Sequence, residues 1–202
     1  MKLKTLMAGA LLACALSAVA QEHEHGGKPP EMDPAMMQAM MAAGTPGEAH
    51  KKLDALAGTW DTKIAMWMAP GTEPMVSTGT AENRWIMGGR YLEQRYKGDF
   101  GGTTFEGIGF TGYDNIRKRY WSSWIDNMST SLMTSTGAMK DAKTFTFTGV
   151  TPDPMTAKDV TIDETITVTD ADHHLLEMWS PGPDGKVYKS MEISFSRAKG
   201  SR

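Results

Sequence analysis

The 202-residue sequence has a single cysteine, Cys14, and it lies within the first twenty residues, upstream of almost everything that could form a core. One thiol cannot close an intramolecular disulfide, build a cysteine zinc cluster or make a CxxC redox pair, so stability has to come from packing. A basic surplus is also missing: 21 Lys and Arg against 24 Asp and Glu leave a net charge of −3, the wrong sign for a protein that neutralises phosphates, which excludes nucleic acid as the expected partner. No apolar run reaches the roughly twenty residues a membrane-spanning helix needs. Phosphate-binding loops, nucleophile motifs and internal repeats are absent as well, and no cofactor is expected. With 40% hydrophobic residues and a mean hydropathy of −0.38, the composition is that of a soluble globular protein, long enough for one domain with appendages.

The chain opens on a targeting pattern. Lys2 and Lys4 precede an apolar run from Leu6 to Leu16, and Ala18-Val19-Ala20 supplies the small-x-small pattern of a signal-peptidase site. Residues 1–20 therefore read as a signal peptide, and cleavage near Ala20 leaves a periplasmic or secreted protein with no thiol. Lipidation at Cys14, within Leu11-Leu12-Ala13-Cys14, fits less well, because the residue before Ala13 is usually smaller than leucine and the apolar run continues past the cysteine. Residues 21–44 form a second unit, a polar Gly/Pro-rich lead-in expected to be disordered and then a short helix. Asp33 caps that helix, Pro34 takes its first turn, Gly44 stops it, and Met36, Met37, Met40 and Met41 recur on one face, a pattern suited to docking on the rest of the protein or on a partner. A further helix follows, with Thr45 and Glu48 as a capping box, Ala49, Leu53, Leu56 and Ala57 as the apolar stripe, and Gly58 as its end.

From Thr59 the period changes to two. Strands are expected at Thr59–Met68, Val76–Met87, Arg90–Asp99, Thr104–Tyr113, Arg119–Asn127, Ser131–Met139, Lys143–Val150, Val160–Thr169, His174–Ser180 and Lys186–Arg197. Short turns such as Gly88-Gly89, Gly101-Gly102 and Pro183-Asp184-Gly185 separate them. About ten consecutive strands without an intervening helix predict an all-β fold, a single antiparallel up-and-down barrel over residues 45–202 that closes to remove its edges. In the last strand, alternation puts Val187, Lys189, Met191, Ile193, Phe195 and Arg197 on one inward face.

The two ends of this barrel resemble the calycins, the superfamily of lipocalins and fatty-acid-binding proteins. Gly58-Thr59-Trp60 matches their Gly-x-Trp motif after a short helix, and Arg197 matches the basic residue of the final strand. The resemblance implies a lipocalin-like barrel in which Arg197 covers the Trp60 ring and plugs the closed end, a structural role. A closer resemblance spans residues 45–197, through TPGEAHKKLDALAGTWD, WIMGGRYLEQRYKGDF, FEGIGFTGYDN, WSSWIDNMST, DPMTAK and HHLLEMW: these are similar to a bacterial exported family catalogued as a domain of unknown function. That family is expected to carry glycine where this chain has Ala157. It implies the barrel and no activity.

Function has to be sought in the residues. Strands three to five are dense in aromatic and charged side chains, and a barrel of this size can hold one small ligand. Trp67, Arg84, Trp85, Arg95, Tyr120, Trp124 and Asp126 are the candidate lining of a site for a small, largely apolar molecule, with Trp124 and Asp126 on the same face by parity. The opposing reading is a filled barrel with charges paired across strands, leaving a structural or interaction role. An enzyme is the other alternative, using Asp126 or Glu93 beside an arginine for proton transfer, though neither acid sits in a motif that supplies its partner. Of His173 and His174 at most one can enter the interior, and a lone imidazole is a weak haem or zinc ligand; His50 is assigned to the solvated side of its helix. His23 and His25 with the neighbouring methionines offer Cu(I) donors, but without the repeated ligand spacing of a copper segment.

Overall fold

The computed structural model describes residues 32–200, so the leader, Cys14, and His23 and His25 lie outside the described residues. Helix α1 (Pro34–Gly44) starts where Asp33 accepts a hydrogen bond from the Ala35 amide at 2.8 Å. Docking of its methionine face on the barrel is not observed: α1 buries no residue, and Met36, Met37, Met40 and Met41 are 47–67% exposed. It is tied down at its last turn instead, where the Asn115 amide donates to the carbonyls of Ala42, Ala43 and Thr45.

Helix α2 (Glu48–Lys51) runs into a 3₁₀ turn (Lys52–Leu56). Its start differs from the expected Thr45–Glu48 box. Gly47 is the N-cap and its amide donates to His50 Nδ1 at 3.1 Å, whereas the Thr45 hydroxyl donates back to the Met41 carbonyl at 2.6 Å and Glu48 pairs with Lys51 at 2.7 Å. His50 is consequently buried rather than solvated, edge-on to Tyr113, and burial lowers its pKa.

Ten strands follow: β1 (Gly58–Met66), β2 (Met75–Ile86), β3 (Tyr91–Phe100), β4 (Thr103–Asp114), β5 (Arg119–Asp126), β6 (Met133–Met139), β7 (Thr144–Pro152), β8 (Asp159–Asp170), β9 (His173–Pro181) and β10 (Val187–Arg197). Each pairs antiparallel with its chain neighbours, and β10 pairs with β1, closing the barrel. These are the ten strands expected from period-two patterning, with ends moved by a residue or two. One face assignment changes. A register shift between Lys189 and Met191 flips the parity of β10, so Met191, Ile193, Phe195 and Arg197 face inward while Lys189, opposite the outward Trp179, binds Glu177 and Glu192 outside.

One end of the barrel is stoppered by the segment before β1. Leu53 and Leu56, 0% and 5% exposed, enter it and pack with Leu92, Tyr120, Phe145 and Phe147. Two polar tethers hold the stopper, Tyr120 Oη donating to the Ala49 carbonyl at 2.9 Å and Trp85 Nε1 to Asp54 at 2.7 Å. Next comes the closure itself. Trp60, fully buried, donates through Nε1 to the Leu56 carbonyl, and the Arg197 guanidinium lies 4.1 Å from its ring centroid. Arg197 also donates to the carbonyls of Ala57 and Ala171 and to Asp172. Gly58 makes room: at φ +130° it occupies backbone space that favours glycine, and a Cβ there would stand 2.2 Å from Arg197 Nη1.

Two stability outcomes follow from this geometry. Arg197→Met should lower unfolding free energy by about 2 kcal/mol or more, through the lost cation–π contact and the stranded carbonyls, with Arg197→Lys recovering less than half because an ammonium lacks the fork; urea titration measures both, and a silent Met variant would refute the clamp. Ala157 holds φ +55°, so Ala157→Gly should raise the unfolding free energy by about 0.5–1 kcal/mol, seen as a higher urea midpoint.

Candidate functional site

The barrel interior has two halves of different character. Toward the stopper it is solid. The floor is made by Trp60, His174 and Phe195, with the His174 ring edge-on to Trp60 (centroids 4.4 Å apart) and stacked on Phe195 (4.1 Å). Toward the opposite end, inward-facing Met66, Leu176, Met178, Met191 and Ile193 are only half-buried although they point into the barrel, as are Phe105 and Trp124 across from them. At this end, the mouth of the barrel, these side chains keep a partial exposure that the floor residues lack.

Strand register organises this upper half. Met75 pairs with Met66, Met66 with Met191, Met191 with Met178, and Met178 with Glu164, so a row of four inward thioether side chains crosses β2, β1, β10 and β9 and ends on a carboxyl of β8. Glu164 is buried, and its Oε1 accepts a hydrogen bond from Ser135 Oγ at 3.0 Å. The two strands are not adjacent. Ser135 reaches across β7 because the residue between is Gly149, where a Cβ would lie 2.3 Å from the hydroxyl.

Burial acts on two titratable groups here in opposite directions. It raises the Glu164 pKa, with the Ser135 hydrogen bond pulling the other way, and it pulls His174 down to about 3, aided by the charge of Arg197. His174 is therefore neutral at physiological pH, and its Nδ1 is a buried atom with no hydrogen-bond partner among the described residues.

The seven residues expected to line a ligand site are scattered. Trp124 and Asp126 face the interior near the mouth, with Trp124 Nε1 donating to Asp126 Oδ2 at 2.9 Å. Trp85 and Tyr120 also face inward, but they belong to the packed layer around the stopper. Arg84 and Arg95 are on the outer wall, each 2.7 Å from a different oxygen of Glu93, which lies beneath them and is held below its ordinary pKa by their hydrogen bonds and charge. That carboxylate is an ion-pair partner on the outer wall, so Glu93 is not placed for proton transfer on a molecule inside the barrel. Trp67 is outside too, with the Lys189 ammonium 5.5 Å from its ring centroid. An open groove of about 620 Å³ runs along β2–β5 past Arg95, Lys97, Ile108 and Ile125, with Tyr96 and Asp126 also in its lining.

Glu164, Ser135 and the methionine row were not among the candidates read from sequence. Their signal is the alternation of β8, where Val160, Ile162, Glu164, Ile166 and Val168 place one acid on an otherwise apolar face. Of the two histidines, His174 enters the interior, whereas His173 is exposed beside Asp170 at 2.9 Å. Among the described residues no group of three or more His, Cys, Asp or Glu could hold a metal, and no helix is long and apolar enough to cross a membrane.

The model of a family described as "Protein of unknown function (DUF1579)" matches residues 45–197. Among solved structures, Rv2717c from M. tuberculosis aligns with a TM-score of 0.55 at 15% identity, over 77% of this chain and 100% of that one. A redesigned beta barrel aligns with a TM-score of 0.41 at 12% identity, over 73% of this chain and 96% of that one. At such identities the likeness concerns the fold alone. No curated protein matches the chain.

Opposed pKa shifts predict a stability maximum flanked by two limbs. A base depressed in the folded state stabilises fully above its unfolded value of 6.5 and loses that contribution as pH falls toward about 3. An acid raised in the folded state stabilises fully below 4.5 and loses its contribution as pH rises through the folded value. Urea midpoints measured across pH should show His174→Phe flattening the acid limb and Glu164→Gln the neutral one; superimposable curves for wild type and Glu164→Gln would contradict the buried acid.

Proposed function

The chain belongs to the family described as protein of unknown function (DUF1579), and we propose that its barrel binds a small, largely apolar molecule in the half of the interior that opens at the mouth. The observation that carries this reading is the contrast in packing along the barrel axis. Near Trp60 the inward side chains are shut away, while Met66, Met178, Met191 and Trp124 point inward and remain accessible. Water over apolar side chains inside a barrel is readily displaced by an apolar guest, at about 25 cal/mol per Å² of apolar surface covered. Methionine suits such a wall because its unbranched, polarisable chain adjusts to different shapes.

The likeness to calycins read from Gly58, Trp60 and Arg197 supports the same reading, since those barrels also close at one end. The leader at residues 1–20 gives the proposed setting, periplasmic or extracellular, with residues 45–202 as the functional domain. A chemical step is not part of the proposal: Glu93 faces outward, and Asp126 is engaged by the Trp124 indole and the Met128 amide.

Trp124 is the reporter. Titration with long-chain alcohols, retinoids and fatty acids should change tryptophan emission saturably, and Trp124→Phe should remove most of that change while the fold persists by circular dichroism. An emission spectrum unmoved by every apolar probe would sink the binding reading and favour a purely structural barrel.

A further inference from the structure

The interior contains an acid and no base to meet it. Among the described residues, the inward positions of the ten strands carry Glu164 and, at the rim, Asp126; the one inward arginine or lysine is Arg197, which is engaged at the floor by Trp60, Asp172 and backbone carbonyls. Glu164 is 7% exposed, and Ser135 is the only described residue that hydrogen-bonds it, through Oε1. Among the described residues no hydrogen bond reaches its second oxygen. The strands packed on either side face it with Phe147 and Met178, and β6 beyond with Ser135; none of these titrates. The titratable groups that share the interior are Asp126 at the rim, Tyr188 on β10, Tyr96 on the opposite wall, Tyr113 and Tyr120 in the packed layer at the stopper, and His174 at the floor.

A buried carboxylate without a counter-charge is costly, and a guest that supplies the charge removes the cost. Ser135 contributes one donor and Gly149 exists as the gap through which it does so, which makes the acid a constructed feature of the wall. The adjoining thioethers and the Trp124 face are polarisable surfaces that tolerate a cation at the head of an apolar chain. We propose that the guest is an amphiphilic amine, its chain lying along Met66, Met191 and Met178 and its ammonium donating to the free oxygen of Glu164. The proposal rests on the reading of the upper interior as an apolar binding site and adds the chemistry of the head group. An anionic head would meet Glu164 and Asp126 and be repelled, so a fatty acid is the disfavoured member of the amphiphile series. Burial raises the Glu164 pKa in the empty barrel and an ammonium beside it acts in the opposite direction, so pairing shifts the acid toward its carboxylate, with proton release and an affinity that rises with pH.

The test uses three probes of one chain length, decylamine, decanol and decanoate, titrated into the full chain by tryptophan fluorescence and by calorimetry in buffers of different ionisation enthalpy. Decylamine stays charged between about pH 5 and 8, so a pH dependence there reports the protein. Expected are binding of decylamine about tenfold tighter than decanol or more, decanoate weakest, affinity for the amine rising with pH, and proton release on binding. Glu164→Gln should erase the preference for the amine while still binding decanol, and Ser135→Ala should keep the preference, with a wild-type circular dichroism spectrum and a cooperative melting transition as the folding control. If decanol binds but the amine has no advantage, or if the advantage survives in Glu164→Gln, the head-group proposal is overturned and the apolar site stands. If none of the three binds, the apolar site falls with it.

Discussion

The closure between Trp60 and Arg197 is the constraint from which the rest of the molecule follows. A ten-stranded antiparallel sheet has two edges unless its first and last strands meet, and the register Trp60 to Arg197 is where β1 and β10 meet at the stoppered end. The guanidinium does three things in one place: it stacks on the indole, it satisfies carbonyls of the segment before β1 and of the β8–β9 turn, and it pairs with Asp172. Those carbonyls belong to otherwise irregular backbone. Without the arginine they would be left at a barrel end that has little water to offer them.

That arrangement makes the two ends unequal. The segment before β1 is short, so Leu53 and Leu56 can only fill the end at which β1 begins, and every hairpin at that end inherits a packed layer of large side chains such as Phe145, Tyr120 and Trp85. Among the described residues, no such segment fills the far end. Its inward positions include the row Met75, Met66, Met191 and Met178 beside Leu176, Ile193, Phe105 and Trp124, and these stay only partly buried. The asymmetry of the interior is thus a consequence of where the chain enters the barrel, and the proposed site lies where entry did not occur.

Polar groups sort by the same logic. Glu93 and Glu164 are both nearly inaccessible, but Glu93 sits under two arginines on the outer wall and is stabilised as an anion, while Glu164 stands among apolar side chains and is destabilised as one. Identical side chains with similar exposure have opposite electrostatic characters because one faces the wall's exterior and the other its lumen. His174 extends the pattern, since its place between two aromatic rings makes charging it unfavourable.

Sequence alone determined the number of strands, their approximate ends, the capping role of Asp33 and the meeting of Trp60 with an inward Arg197, because alternation and turn chemistry are local and the end-to-end pair carries a recognisable motif. That Trp124 and Asp126 share one face followed from the same two-residue period. Tertiary structure decided what periodicity cannot reach. A single bulge after Lys189 reversed the face of that lysine, and the sense of each strand's alternation, set by neighbours far away in sequence, put Arg84, Arg95 and Trp67 outside. The union of Ser135 with Glu164 required three strands side by side and a glycine between them, a relation across 29 positions. Patterning specifies which residues share a face; only closure of the sheet specifies which face becomes the inside and which residues then oppose one another across it.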